Sequence, residues 1–118
     1  MVTTDPERNV VRLTYVGAIG VTEAARDAPA IARALAATRP GFHLFTDLSA
    51  LQMMEPDCAS QVTQIMVLAR QHEIGRVVRL IPDRSKDIGL NILSLFHYPR
   101  GLQIITCGTS AEAEAALA

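Results

Sequence analysis

The feature that most constrains this chain is an alternation of short apolar runs with longer segments of helical periodicity. Residues 10–17 (VVRLTYVG), 42–47 (FHLFTD), 76–81 (RVVRLI) and 102–107 (LQIITC) read as strands, and apolar residues recur every three or four positions in the stretches that follow each. Strand followed by helix, repeated along one chain, requires a sheet with helical crossovers. The last three strands are short and apolar, which suits parallel neighbours buried on both faces. The first alternates, with Val11, Leu13 and Tyr15 on one face, and is expected nearer the edge. At 118 residues the chain fits one domain with a real hydrophobic core, and there is no internal repeat or long linker.

Local signals set the boundaries. Gly17 and Gly20 close the first strand. The helix after it carries Ala24, Ala28, Ile31 and Leu35 on one stripe, with Thr22 as a cap. Pro29 within it predicts either a kink or a second, shorter helix capped by Asp27 with Pro29 in its first turn. Pro40 and Gly41 end the segment. Glu55 and Pro56 open the next helix, which runs to about Glu73 with Gly75 as its stop and Cys58, Val62, Ile65, Met66 and Ala69 as its buried stripe. A third helical region after PDRSKD carries Ile88, Ile92, Leu95 and Phe96, and Ser110 caps a short terminal helix.

Composition excludes several classes of function. Half the residues are apolar and the net charge is −1, so disorder, a nucleic-acid tail and an acidic solvating segment all fit poorly. No apolar run approaches the roughly eighteen residues of a membrane span, and the charged N-terminus MVTTDPERNV is unlike a signal peptide. A cytoplasmic protein is expected. TYVGAIG lacks the third glycine of a dinucleotide fingerprint and the lysine of a phosphate loop. His43, His72 and His97 have no ligand partner at metal spacing, Cys58 falls on an apolar stripe, and Cys107 has no adjacent base. No enzyme activity, cofactor or metal is expected.

The most polar cluster is the join at residues 44–61, LFTDLSALQMMEPDCASQ. Asp47 ends a central strand, where sites on α/β sheets usually form, and with Ser49, Glu55 and Asp57 it reads as one acidic loop. Asp47 is expected to bond the amides of Leu48 and Ser49 and set the turn, while Glu55 serves the first amides of the next helix. The exposed side of that helix carries Gln61, Gln64, Arg70 and Gln71, and of Met53 and Met54 one is expected to pack in the core.

LFTDLS, the following ALQMMEPD and the amphipathic helix after them resemble the central motif of STAS domains of the anti-sigma-factor antagonist type and their broader SpoIIAA-like relatives. YVGAIGVTEA and TSAEAEAAL resemble the family's first strand–helix passage and its terminal helix. The resemblance implies an α/β fold with a four- or five-stranded, mostly parallel or mixed sheet and about four helices. It also implies a protein partner of regulatory-kinase or sigma-pathway type. In that family the helix begins near Met-Asp-Ser-Ser-Gly, and one of those serines is phosphorylated. Here Met54 and Glu55 stand at the first two places, Pro56 and Asp57 at the serines and Cys58 at the glycine. Proline takes no phosphate, and an aspartate imitates phosphoserine with one charge and two oxygens in place of nearly two charges and three. Ser49 and Ser60 flank the position without occupying it.

A non-catalytic regulatory or interaction domain is the leading expectation, with Asp47, Ser49, Met54, Glu55, Asp57 and Ser60 as its contact region. IGLNILSLFHYP, residues 88–99, holds more apolar residues than one stripe needs, so Leu90, Leu93, Phe96 and Tyr98 are a candidate homodimer or ligand surface. The alternative is a small apolar-ligand or lipid-binding protein, or a minor enzyme, with a groove beside residues 84–98 and Asp47, Arg84 or His97 at its mouth.

Overall fold

The structure, a computed structural model, describes residues 1–83 and 97–118. Five strands form one mixed sheet in sequential order: β1 (Val2–Asp5), β2 (Val10–Ile19), β3 (His43–Met54), β4 (Arg76–Leu80) and β5 (Gln103–Cys107). β1 runs antiparallel to β2, and the remaining neighbours are parallel. Helix α1 (Val21–Ala36) links β2 to β3. A 3₁₀ turn (Pro56–Cys58) and α2 (Ala59–Gln71) link β3 to β4, and α3 (Ser110–Leu117) follows β5.

Strands that advance in one direction through parallel crossovers of one hand must place those helices on one face. Accordingly Ile31 and Leu35 of α1 and Met66 and Ala69 of α2 pack with Val11, Leu13, Tyr15, Leu44, Leu48 and Val77. The other face holds a smaller core in which Ala113 and Leu117 of α3 cover Val10, Phe45, Val78, Leu80 and Cys107.

β1 lies in a segment with no strand expected from periodicity. It makes β1 the edge and moves β2, expected near the edge, one place inward. The turn that builds this hairpin has its own signals: Asp5 Oδ1 accepts from the Arg8 amide at 3.2 Å, and Asn9 takes the left-handed conformation at φ 57°. The helix after β2 is a single α1 with Pro29 inside it, not two shorter helices. Pro29 strips the Ala25 carbonyl of its helical partner, but Ala25 is exposed, so water can serve that oxygen. Its N-cap is Gly20 rather than Thr22, and the Gly20 amide donates to Glu23 Oε2 at 2.9 Å. At the far end of α2 the stop is Glu73, left-handed at φ 62°, whereas Gly75 serves close packing: a Cβ there would lie 2.5 Å from the Gly41 carbonyl oxygen.

Candidate functional site

β3 is twice as long as residues 42–47 imply, because two bulges hide its continuation. Thr14 pairs with Asp47 and Val16 with Ala50, so Leu48 and Ser49 together oppose Tyr15. Gly17 then pairs with Leu51 and Ala18 with Met53, which leaves Gln52 as a second extra residue. Each bulge adds one residue to the two-residue alternation. Side chains facing α2 therefore fall at Leu44, Thr46 and Leu48 and then at Leu51 and Met54, a spacing that no strand pattern anticipates. β4 accompanies β3 only as far as Asp47, opposite Leu80. Beyond it β2 and β3 continue as a two-stranded arm, and the supposed acidic loop is this arm.

The expected site residues are thereby spread out. Asp47 does not set a turn: its Oδ1 accepts from the Ser49 amide at 2.9 Å and from the Ser49 hydroxyl at 2.6 Å, holding the first bulge. Glu55 and Asp57 stand at the far end of the arm, where the Glu55 amide donates to the Ile19 carbonyl at 2.9 Å. Eight residues of near-extended strand, on the order of 20 Å, separate Asp47 from Glu55, so the carboxylates do not converge. Among the described residues no three of His, Cys, Asp and Glu are placed to hold a metal. Asp57 is exposed in the 3₁₀ turn, and the Ser60 hydroxyl donates to the Asp57 carbonyl at 3.4 Å and to Gln61 Oε1 at 3.0 Å. α2 starts at Ala59, later than Glu55 and Pro56 imply, because Pro56 opens the 3₁₀ turn first.

The two faces of the arm differ. Met54 is the packed methionine, and Met53 is 56% exposed. Val16, 65% exposed, and Ala18 sit opposite Ala50 and Met53 on the outer face, beyond the part of the sheet that α3 covers. The inner face bounds a cavity of about 400 Å³ between the sheet and α2. Among the described residues, Leu13, Leu48, Leu51, Val62, Ile65 and Met66 contribute to its apolar wall, with Glu55 and Pro56 at the arm end. Polar groups on it come from Thr46, Arg79, Tyr15 and Tyr98. A second cavity, about 310 Å³, lies between α1 and α2 where Ala24, Ala28 and Ala32 leave room; Gln61 and Gln64 border it.

Neither Asp47 nor His97 lines the larger cavity, and Arg84 lies outside the described residues together with Leu90, Leu93 and Phe96. Tyr98 is buried and faces that cavity, not solvent. Arg79 went unread in the sequence although a signal was there: in RVVRLI it shares the two-residue period of Val77 and so belongs to the buried face. Burial pushes the Tyr15 hydroxyl up to about 12, with Asp27 and Cys58 adding to the shift. Tyr98 is likewise pushed up to about 12 by burial, and Arg79 nearby pulls in the other direction. Both phenols are therefore neutral hydrogen-bonding groups at ordinary pH. Burial also raises the Cys58 thiol, with Glu55, Glu23 and Asp57 contributing, and the Cys107 thiol, with Glu112 contributing. Neither is poised as a thiolate nucleophile.

Solved structures with this architecture cover the whole chain. An uncharacterised protein from Shewanella loihica PV-4 matches with a TM-score of 0.73 at 14% identity, over 100% of this chain and 91% of that one. It is described as having a SpoIIAA-like fold. So is this chain's fold. The unphosphorylated anti-sigma factor antagonist SpoIIAA matches at TM-score 0.68 and 16% identity, over 99% of this chain and 96% of its own. The phosphorylated form of SpoIIAA, a Bacillus cell fate determinant, matches at TM-score 0.67 and 15% identity, over 100% and 98%. No family model and no curated protein matches the sequence. The SpoIIAA-like likeness is therefore one of fold. No helix among the described residues is long and apolar enough to cross a membrane.

Proposed function

We propose that this chain is a non-catalytic regulatory domain that acts by protein contact through the outer face of the β2–β3 arm and the turn leading into α2. The arm is the observation that carries this reading: it projects past β4 and exposes Val16, Ala18, Ala50 and Met53 beside Glu55, Asp57 and Ser60. Exposed apolar residues gathered beside charge are typical of contact surfaces. Pro56 at the acceptor position supports constitutive docking, independent of serine phosphorylation. The partner expected is a regulatory kinase or another protein of sigma-pathway type.

Photo-crosslinking from position 52 in the host tests it. One regulatory protein should be captured, and Met53→Asp should reduce capture about tenfold or more while leaving the melting temperature unchanged. Equal capture by Met53→Asp would remove the arm from the interface. Phosphate on Ser49 or Ser60 in protein isolated from the host would remove the constitutive mode.

A second reading rests on the cavity. Its volume, about 400 Å³, lies in the range of small-molecule sites, and its wall is mostly aliphatic with a few polar groups. It supports binding of a small apolar molecule, as a carrier or as a ligand that tunes the regulatory domain. Native mass spectrometry of protein purified from its host should then show a bound mass released on activation. Bare protein, with no uptake of added amphiphiles, would refute this second reading.

A further inference from the structure

A polar group stands deep in the smaller cavity, the slot between α1 and α2. Tyr15 is 9% exposed, and no described residue hydrogen-bonds its hydroxyl. The groups that act electrostatically on that hydroxyl are Asp27 on α1 and Cys58 just before α2. Cys58 lines the slot and not the larger cavity, so the phenol oxygen lies at the slot's inner end. A buried hydroxyl left unmet costs free energy comparable to a lost hydrogen bond. The space around it is about 310 Å³, room for roughly ten waters at liquid density. Much of the described wall offers water nothing: Ala24, Ala28, Ala32, Val62 and Leu68 have no polar side-chain atom. One water satisfies Tyr15, but further waters lack the two or more polar partners each needs. Ala25, Pro29 and Gln64 on the wall are exposed, so the slot opens to solvent between the helices.

We propose that the α1–α2 slot binds a small, uncharged, largely apolar molecule with one carbonyl oxygen, held by a hydrogen bond from the Tyr15 hydroxyl. The carbonyl, of a ketone or an ester, lies at the inner end, and the hydrocarbon part lies between the alanines of α1 and Val62, Ile65 and Leu68 of α2. Tyr15 keeps its proton at ordinary pH, because burial first, and then Asp27 and Cys58, push the phenol up to about 12. It is therefore a standing donor, matched by an acceptor on the ligand. An anionic head is disfavoured there. After burial, Glu55, Glu23 and Asp57 all raise the adjacent Cys58 thiol, so the field at the inner end opposes negative charge. Ala28 sets the width of the slot, and a longer side chain in its place takes up the ligand's space. The site is neither the arm's outer face nor the larger cavity, and it stands whichever of those readings holds.

The test titrates the full chain, isotope-labelled at its alanine and methionine methyls, with 2-octanone, octanoate and octylammonium, and follows the methyl signals by NMR. Ala24 lines the slot alone and Met66 the larger cavity alone, so their signals tell the two spaces apart. 2-Octanone should shift Ala24 far more than Met66 and bind more tightly than either ion. Tyr15→Phe should weaken the ketone about three- to tenfold, the worth of one neutral hydrogen bond. Ala28→Leu should abolish the shift at Ala24 by filling the slot. A shift at Met66 with none at Ala24 puts the ketone in the larger cavity and overturns the slot as its site. Undiminished ketone binding by Tyr15→Phe overturns the hydrogen bond, and with it the carbonyl class. Tighter binding of octanoate or octylammonium overturns the uncharged class. No shift at Ala24 with any probe overturns the site and leaves water as the partner of Tyr15. Should Tyr15→Phe fail to fold, Ala28→Leu and the probe series on the unaltered chain decide.

Discussion

Gly75 and His43 lie where the loops entering β3 and β4 are stitched together. The Gly75 amide donates to the Phe42 carbonyl at 2.8 Å, and the Gly41 amide donates to the Glu73 carbonyl at 2.7 Å. Alanine at 75 would drive its Cβ against the Gly41 backbone oxygen, which cannot swing aside as a side chain would. Gly75→Ala should therefore cost about 1–3 kcal/mol, read as a lower urea midpoint; an unchanged midpoint would show that the two loops can separate. At His43 the Nδ1 atom is buried without a hydrogen-bond partner. Burial first, and then the Arg76 charge, hold its pKa below the ordinary 6.5. The folded state thus binds this proton less tightly than the unfolded state does. Its contribution is whole above pH 6.5 and is lost as pH falls through the lower folded value. Urea midpoints at pH 7.5 and 5.5 should differ more for the native sequence than for His43→Gln, and identical differences would clear His43 of the effect.

The arm is the element whose form the sequence concealed. Residues 42–47 are legible as a strand because their alternation is intact, but Leu48, Leu51 and Met54 reach one face only by way of two bulges, and periodicity cannot register an inserted residue. The polar signals around the bulge were visible: Asp47 was expected to bond the Ser49 amide, and it does, though it sets a bulge and not a turn. α2 was more legible. Cys58, Met66 and Ala69 of its expected stripe are buried, and Val62 and Ile65 are partly so, because a helix's facing set follows from spacing alone. Asp47→Ala removes the acceptor for both the Ser49 amide and its hydroxyl at a partly open site, so a loss of about 1 kcal/mol is expected. Hydrogen exchange should quicken selectively over Ser49–Met54, and Asp47→Asn should restore most of the protection. Quickening spread evenly over all strands would argue against a local bulge clasp.

Across the whole molecule, one sheet carries two cores that share every central strand. Leu35 of α1 is fully buried on one face, and Leu117 of α3 is 4% exposed on the other. Leu35→Ala and Leu117→Ala should each cost about 2–5 kcal/mol, and each should shift a single unfolding transition seen alike by circular dichroism and tyrosine fluorescence. Two transitions in either variant would mean that α3 and its small core come apart separately. An α/β architecture with a largely parallel sheet was legible because strand–helix alternation and parallel burial are written in local composition, whereas its SpoIIAA-like form was expected from the resemblance carried by LFTDLS and the helix after it. The sequence by itself also determined the helix faces and the burial of Cys58. Only the tertiary structure decided that β1 takes the sheet edge, that β2 and β3 run on as an arm, and that Asp47 stands apart from Glu55. It alone brought Arg79 to a cavity wall beside Thr46 and Tyr98. The reason is physical: alternation and spacing are local, whereas strand register, bulges and the space left between a sheet and its helices depend on which distant segments meet.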